Sequence, residues 1–295
     1  MPTANEIEKA YHALPTSSIV EAFFQGTDSI RHFVVSVMEP VLTGQLGLDD
    51  RQTAIVGTYY RIVGWLKALG ELNAPSHYQA VASGARSIFE LLLDIKLIQS
   101  DATGELVKRF HTFPEIEKYR AAHKLVSYCD RTNNSRIECK NQRKFVDGAA
   151  KEATIESLII QHWGRTKDGK PRWPDHWSGL SVAQRAEKLG PKYEERYIEF
   201  YPFLSWHIHS GSTGYAGLEP ETLEKAFGLM HSMIQQVVVE ATKICAEEMK
   251  IDKVDNLAKP FKPTIDDLLE STDEILVQKY VEFVKQQSTP RQLEK

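Results

Sequence analysis

The stretch Asp50–Ser100 reads DRQTAIVGTYYRIVGWLKALGELNAPSHYQAVASGARSIFELLLDIKLIQS. Its apolar residues recur every three or four positions on both sides of Pro75, which predicts one long helix up to about Asn73 and a second over 77–99. Because only a short link at Asn73–Ala74 separates the two helices, we expect them to form an antiparallel hairpin. Two long paired helices are the beginning of a helical bundle.

The helical period recurs through the remaining chain, and no useful length of it alternates with the period of a strand. The predicted fold is therefore all-α, an up-down helical bundle of long antiparallel helices with a C-terminal helical appendage. Residues 1–250 are expected to form the bundle domain, and residues 251–295 a linker and an amphipathic helix. Gly84 is expected to allow close helix approach. Other helices are predicted over 5–13, 17–38, 105–130 with a break at 112–114, 145–163, 182–190, 191–210 and 220–249.

Composition limits the function classes. The 295 residues carry a net charge of −4, so no overall basicity points to nucleic acid, although a local basic patch is compatible with it. No apolar run approaches the length of a membrane span, and the N-terminal residues are not those of a signal peptide. Cys129, Cys139 and Cys245 are odd in number and lack C-x-x-C spacing, which predicts reduced thiols in the cytoplasm.

The densest polar chemistry lies between Pro191 and Gly211. Four-residue steps on a helix drift by only about 40°, so one side of this helix is expected to carry Tyr193, Tyr197, Tyr201, Ser205 and His209. Pro202 should kink the helix beside them. In one interpretation His209 titrates near neutrality and acts as a base toward Ser205 or a substrate. In the other, the tyrosine and histidine tips are hydrogen-bonded inside a core.

His207 is a second candidate ligand-binding histidine in this segment. It is two residues from His209, and on a helix the two side chains point about 200° apart, so we expect no metal site there. The complete nucleotide-binding glycine motifs, G-x-G-x-x-G and G-x-x-x-x-G-K-[ST], do not occur in the sequence, and no cofactor is expected.

Arg86 and Glu90 are four residues apart amid apolar neighbours, so we expect a partly buried ion pair, which Arg61 could face. Such a pair either sets the helix register or presents Arg86 to a phosphate or carboxylate. Both interpretations stay open at the level of sequence.

Two basic segments lie in the middle of the chain. Residues 131–144 carry five basic side chains and one acidic one, and residues 164–180 mix basic side chains with Trp173 and Trp177. Basic residues among aromatic ones suit phosphate contact and base stacking. A solvated helix face, and tryptophans that fasten the loop to the core, are the alternatives.

Three segments together resemble a bacterial helical family of unknown function: R86-S-I-F-E90, W177-S-G-L-S-V-A-Q-R-A-E-K-L-G190 and Y197-x3-Y201-x3-S205-x3-H209. The resemblance covers roughly residues 50–245. It implies a helical fold in which five polar residues lie close together: Arg86, Glu90, Tyr201, Ser205 and His209.

A more distant similarity is to the HEPN superfamily, helical dimers that include ribonucleases. The superfamily's signature, an arginine and a following histidine with four to six residues between them, does not occur in this chain.

Two function classes follow. In the first, the protein acts on a nucleotide or RNA: Arg86 holds a phosphate, His209 moves a proton, and Ser205 and Tyr201 position the ligand. The other binding candidates are Glu90, Tyr197, Arg61, Trp177 and His207. In the second class, the protein is a non-catalytic interaction protein, a homodimer, whose polar cluster only specifies packing.

Overall fold

The computed structural model describes residues 26–28, 30–72, 77–148, 151–206 and 220–251. After a π-helical turn at Val34–Met38, the helices are α1 Glu39–Thr43, α2 Asp50–Gly70, α3 Tyr78–Gln99, α4 Glu105–Arg131, α5 Ile137–Val146, α6 Lys151–Trp163, α7 Val182–Leu189, α8 Pro191–Trp206 and α9 Pro220–Glu248. These ranges contain no strand, only an isolated bridge between Arg165 and Pro171. The all-α prediction is therefore confirmed.

The chain divides into two compact units. The first comprises Met1–Gln99 and Leu189–Lys295, and the second comprises Ser100–Lys188. The predicted helix over 5–13 and the predicted C-terminal helix lie outside the described residues, so the division expected at residue 250 stays a prediction. Within the described ranges, no helix combines the length and the apolar character needed to cross a membrane.

The α2–α3 hairpin is the framework of the first unit. Asp49 caps α2 in a capping box with Gln52, as expected for an acidic residue ahead of a helix. Arg51 at the start of α2 donates from Nη1 to the carbonyl of Gln99 at the end of α3, 3.3 Å away. The two helices therefore run antiparallel, as their short link predicts.

Helix α3 is the central helix of the first unit. It packs against α2, α8 and α9, and every side chain from Leu91 to Ile95 is buried. Five consecutive residues extend around the whole circumference of a helix, so this part of α3 is buried on all sides and must be surrounded by other helices. The partly exposed charges of α3 therefore stand out against an apolar background.

The second unit has its own core. Helix α4 packs against α5 and α6, and the buried members of the core are Ile116, Tyr119, Ile155, Ile159 and Trp163. The predicted break at 112–114 is wrong, because α4 continues through Pro114. Phe113 and Ile116, on either side of that proline, both pack into this core and hold the helix together across it.

The prediction of three reduced thiols is wrong for two of them. Cys129 and Cys139 form a disulfide with their Cα atoms 6.2 Å apart, and only Cys245 is a buried thiol. Because α5 packs back against α4, two buried cysteines ten residues apart face each other across the turn. Spacing along the sequence does not reveal that encounter.

Candidate functional site

Helix α3 sets Arg86 and Glu90 one turn apart. Arg86 donates from Nε to Oε1 of Glu90 at 2.9 Å, and the two side chains are 24% and 30% exposed. Their immediate neighbours Ala85 and Phe89 are buried. The expected pair is present as an oriented ion pair that solvent still reaches.

Tyr201 of α8 joins this pair across the helix interface. Its hydroxyl donates to the same Oε1 of Glu90 at 2.8 Å. The guanidinium carbon of Arg86 lies 4.8 Å from the centre of the Tyr201 ring, within the range of a cation–π contact. We call Arg86, Glu90 and Tyr201 the α3–α8 cluster.

The electrostatics of the cluster raise the pKa values of Tyr201 and Arg86. Burial, together with the negative charge of Glu90, raises the pKa of Tyr201 to about 12, so its hydroxyl stays a donor. Burial by itself lowers the pKa of Arg86, but the hydrogen bond and charge of Glu90 outweigh it and the pKa is raised. The guanidinium is therefore a permanent cation near neutral pH.

Two other predicted site residues lie on α8 around Tyr201. The Tyr197 ring stacks on the Tyr201 ring, with centroids 5.0 Å apart. Ser205 donates from its hydroxyl to the carbonyl of Tyr201 at 2.8 Å, a bond back to the preceding turn. Both residues support the position of Tyr201. His207 and His209 lie outside the described residues.

The remaining two candidates lie elsewhere. Arg61 is exposed on α2 and takes no part in the described contacts of the cluster. Trp177 is buried in the second unit, where its ring meets Phe110 edge-on and its carbonyl accepts a hydrogen bond from the Trp163 indole at 3.0 Å. Those are the contacts of a residue that fastens a loop to a core.

A second polar cluster on α8 and α9 was not predicted. Glu240 accepts hydrogen bonds from Tyr193 and from Arg196, the latter at 2.7 Å, and Lys192 lies 3.1 Å away. Burial by itself raises the pKa of Glu240. The hydrogen bonds and the two cations have the larger, opposite effect, so the pKa is lowered overall. The only sequence signal is a single acid inside the otherwise apolar stretch Val237–Ala241.

The two clusters show which helices the predicted tyrosine stripe of α8 contacts. Tyr193 and Tyr201 are eight residues apart, so they differ by about 80° around α8. That drift directs Tyr193 to Glu240 on α9 and Tyr201 to Glu90 on α3. The stripe therefore contacts two different helices instead of one.

No group of three or more His, Cys, Asp and Glu side chains placed to hold a metal ion occurs in the part of the chain that the structure describes. The α3–α8 cluster contains one arginine, one carboxylate and one phenol. Chemically, such a set binds an anion through the guanidinium and orients it through neighbouring donors.

Comparison with known proteins gives one match. A family described as a family of unknown function (DUF5677) matches residues 52–219. The three motifs of the sequence resemblance all fall inside this range, and the expected membership of a family of unknown function is confirmed. The similarity to the HEPN superfamily stays a prediction. No curated protein and no solved structure matches the chain.

Proposed function

The chain belongs to the DUF5677 family of unknown function, and we propose that it acts on a phosphate-bearing ligand, a nucleotide or RNA, at the α3–α8 cluster. The proposal keeps the HEPN-like interpretation of the sequence in its general chemistry. Arg86 binds the phosphate, and Tyr201 and Glu90 orient the guanidinium. Ser205 and His209 follow Tyr201 by four and eight residues and are the candidates for positioning the ligand and moving a proton.

The observation that carries the proposal is the orientation of Arg86. Its ion pair with Glu90 uses Nε, and a guanidinium has two further nitrogen atoms that donate hydrogen bonds. The ring of Tyr201 supports one face of the group, and about a quarter of the side chain is exposed. A cation held in place before binding loses little entropy when it forms a bidentate bond with a phosphate.

A second candidate function is supported by a different detail of the same cluster. Arg86 and Tyr201 both bond to one oxygen of Glu90, so each member of the cluster has a partner without any ligand. Such a network can serve only to fix how α8 packs on α3, as in a non-catalytic interaction protein or a homodimer. The two candidates differ in what a ligand does to stability.

The test is thermal unfolding of the full chain, with and without nucleotides and short RNAs. A ligand at 100 times its dissociation constant stabilises the wild type by about 2.7 kcal/mol. Arg86→Gln and His209→Ala should remain folded and lose this stabilisation. Glu90→Gln keeps an acceptor for both donors but removes the negative charge beside the phosphate, so it should increase the ligand-induced stabilisation.

The matched control is Arg196→Gln, which breaks another ion pair of the first unit, the one with Glu240. This variant should lose stability but keep the full ligand-induced stabilisation. If no ligand stabilises the wild type, or if Arg86→Gln responds as the control does, the cluster is structural and the proposal fails. In that case the interaction protein is the remaining candidate.

A further inference from the structure

Charge is distributed unequally between the two units. Ser100–Lys188 contains 17 Lys and Arg against 12 Asp and Glu, a net charge of +5. Since the whole chain carries −4, the rest of the chain carries −9. A basic segment in an acidic protein is typical of a surface for a polyanion.

Part of that positive charge forms a stripe on α4. At about 100° per residue, the following side chains fall within about 80° of arc: Arg120, Lys124, Tyr128 and Arg131. We call these four residues, together with Trp173, the α4 stripe. Cys129, which is bonded to Cys139 of α5, lies about 180° from Arg120 around the helix, so α5 packs on the opposite side.

Two of the basic side chains on the stripe are available to a ligand. Lys124 and Arg131 are exposed, and neither forms an ion pair with a described residue. Two other cations of the unit are engaged: Arg143 pairs with Asp130, and Lys151 pairs with Glu115. Arg131 lies 5.9 Å from the ring of Tyr128, which keeps the cation beside an aromatic face.

Two exposed aromatic rings lie on the stripe. Trp173 is 39% exposed and stacks on the buried ring of Tyr119, with Arg120 5.9 Å from the indole. Arg120 also donates to the carbonyl of Pro174, which fastens the tryptophan loop to α4. Tyr128 is 43% exposed two turns further along. Large exposed rings held in fixed positions are the platforms on which unpaired bases stack.

The dimensions suit a nucleic acid strand. Eight residues of helix separate Arg120, beside Trp173, from Tyr128, which is about 12 Å. With the rise of about 3.4 Å per nucleotide that each strand has in a stacked B-form helix, that length corresponds to three to four nucleotides. A duplex would hide its bases from both rings, and an acidic peptide would not use them.

We propose that the α4 stripe is a binding surface for single-stranded nucleic acid, whose phosphates contact Lys124 and Arg131 while its bases stack on Trp173 and Tyr128. The inference deepens the proposed function, because it assigns the strand-binding surface of an RNA-acting protein. It stands on its own observations, since none of the stripe residues belongs to the α3–α8 cluster.

The experiment measures the fluorescence anisotropy of labelled 12-nucleotide strands, one RNA and one DNA of the same sequence, titrated with the full chain over a range of salt concentrations. The double variant Lys124→Gln/Arg131→Gln should weaken binding and lower the slope of log K against log salt by about 1.4, about 0.7 per lost phosphate contact. Tyr128→Ala should weaken binding about tenfold with an unchanged slope.

The matched control is Lys108→Gln/Lys188→Gln, which removes the same charge from exposed positions of the same unit that do not belong to the stripe. It should keep the wild-type slope. The proposal is supported if either strand binds and the stripe variants, but not the control, show the expected changes in affinity and salt dependence. A preference for RNA or for DNA shows which of the two nucleic acids the surface favours. Equal losses in both double variants, no binding, or binding of a duplex in preference to both strands would overturn it.

Failure here is separate from failure of the proposed function. Anisotropy reports strand binding and needs no nucleotide-induced stabilisation, and the stripe variants leave Arg86, Glu90 and Tyr201 intact. A wild type that is stabilised by mononucleotides but binds no strand would overturn only the stripe. A wild type that binds strands while Arg86→Gln changes no ligand-induced stabilisation would overturn only the α3–α8 site.

Discussion

His231, Thr27 and Gln235 form a buried hydrogen-bonded group in the first unit. The Thr27 hydroxyl lies 2.8 Å from Nδ1 of His231 and accepts a bond from the Gln235 amide at 3.2 Å. Burial lowers the pKa of His231 to about 3, so this histidine is neutral in the folded protein. It was not a site candidate, because a single histidine in an apolar helix gives no signal in the sequence.

The lowered pKa of His231 predicts that the folded protein loses stability in mild acid. An ordinary histidine has a pKa of about 6.5, so below that pH the unfolded chain binds a proton that the folded chain does not. The contribution is complete above pH 6.5 and decreases as the pH falls toward 3. Between pH 6.5 and 5 the free energy of unfolding should fall by about 2 kcal/mol through this residue alone.

Urea unfolding of wild type and His231→Asn at a series of pH values measures this effect. The asparagine can keep a bond to Thr27 and cannot titrate, so the variant should show a flatter dependence in this window. Equal slopes in the two proteins would show that His231 is not buried as a neutral group.

At the scale of the helix, the close approach of α2 and α3 depends on Gly84. A Cβ at this position would lie 3.0 Å from Cδ2 of Leu69 and 3.2 Å from Cε3 of Trp65. A Cβ added at Gly64, on the exposed side of α2, would have no other atom within 4 Å. The two glycines are therefore a matched pair that separates helix propensity from packing.

Gly64→Ala should raise the free energy of unfolding by about 1 kcal/mol, because alanine is the better helix former. Gly84→Ala carries the same propensity gain but crowds Leu69 and Trp65, so the net stabilisation should disappear or reverse. Urea unfolding of the two single variants gives the comparison. Equal stabilisation by both substitutions would mean that the helix interface tolerates an added methyl group.

At the scale of the whole molecule, the second unit interrupts the first in sequence and has a core of its own. The Cys129–Cys139 disulfide closes a short loop inside that unit. Loop closure of this length contributes about 2–3 kcal/mol in the chain-entropy account. That contribution should be confined to the unit that contains the bond.

Hydrogen exchange of the full chain, oxidised and reduced, tests this expectation. Reduction should speed amide exchange in α4, α5 and α6 and leave α2, α3 and α9 unchanged. The double variant Cys129→Ala/Cys139→Ala should behave as the reduced protein in both conditions. Uniform acceleration across all helices would instead show that the two units unfold together.

The amino-acid sequence by itself determined the local features of this protein. The period of apolar residues predicts α2, α3 and α9, and Asp49 and Ser181 begin helices through capping boxes. The Arg86–Glu90 pair also follows from spacing, because residues four apart on a helix are neighbours. Each of these depends on interactions within a few residues.

Only the tertiary structure decided which distant groups meet. Tyr201 bonds to Glu90 across 111 positions, and Tyr193 bonds to Glu240 across 47. Core packing also carries α4 through Pro114 against its local preference, and the return of α5 joins Cys129 to Cys139. Helical periodicity predicts the side of the helix on which a residue lies. It does not predict which helix packs there, because that depends on the total burial of the unit.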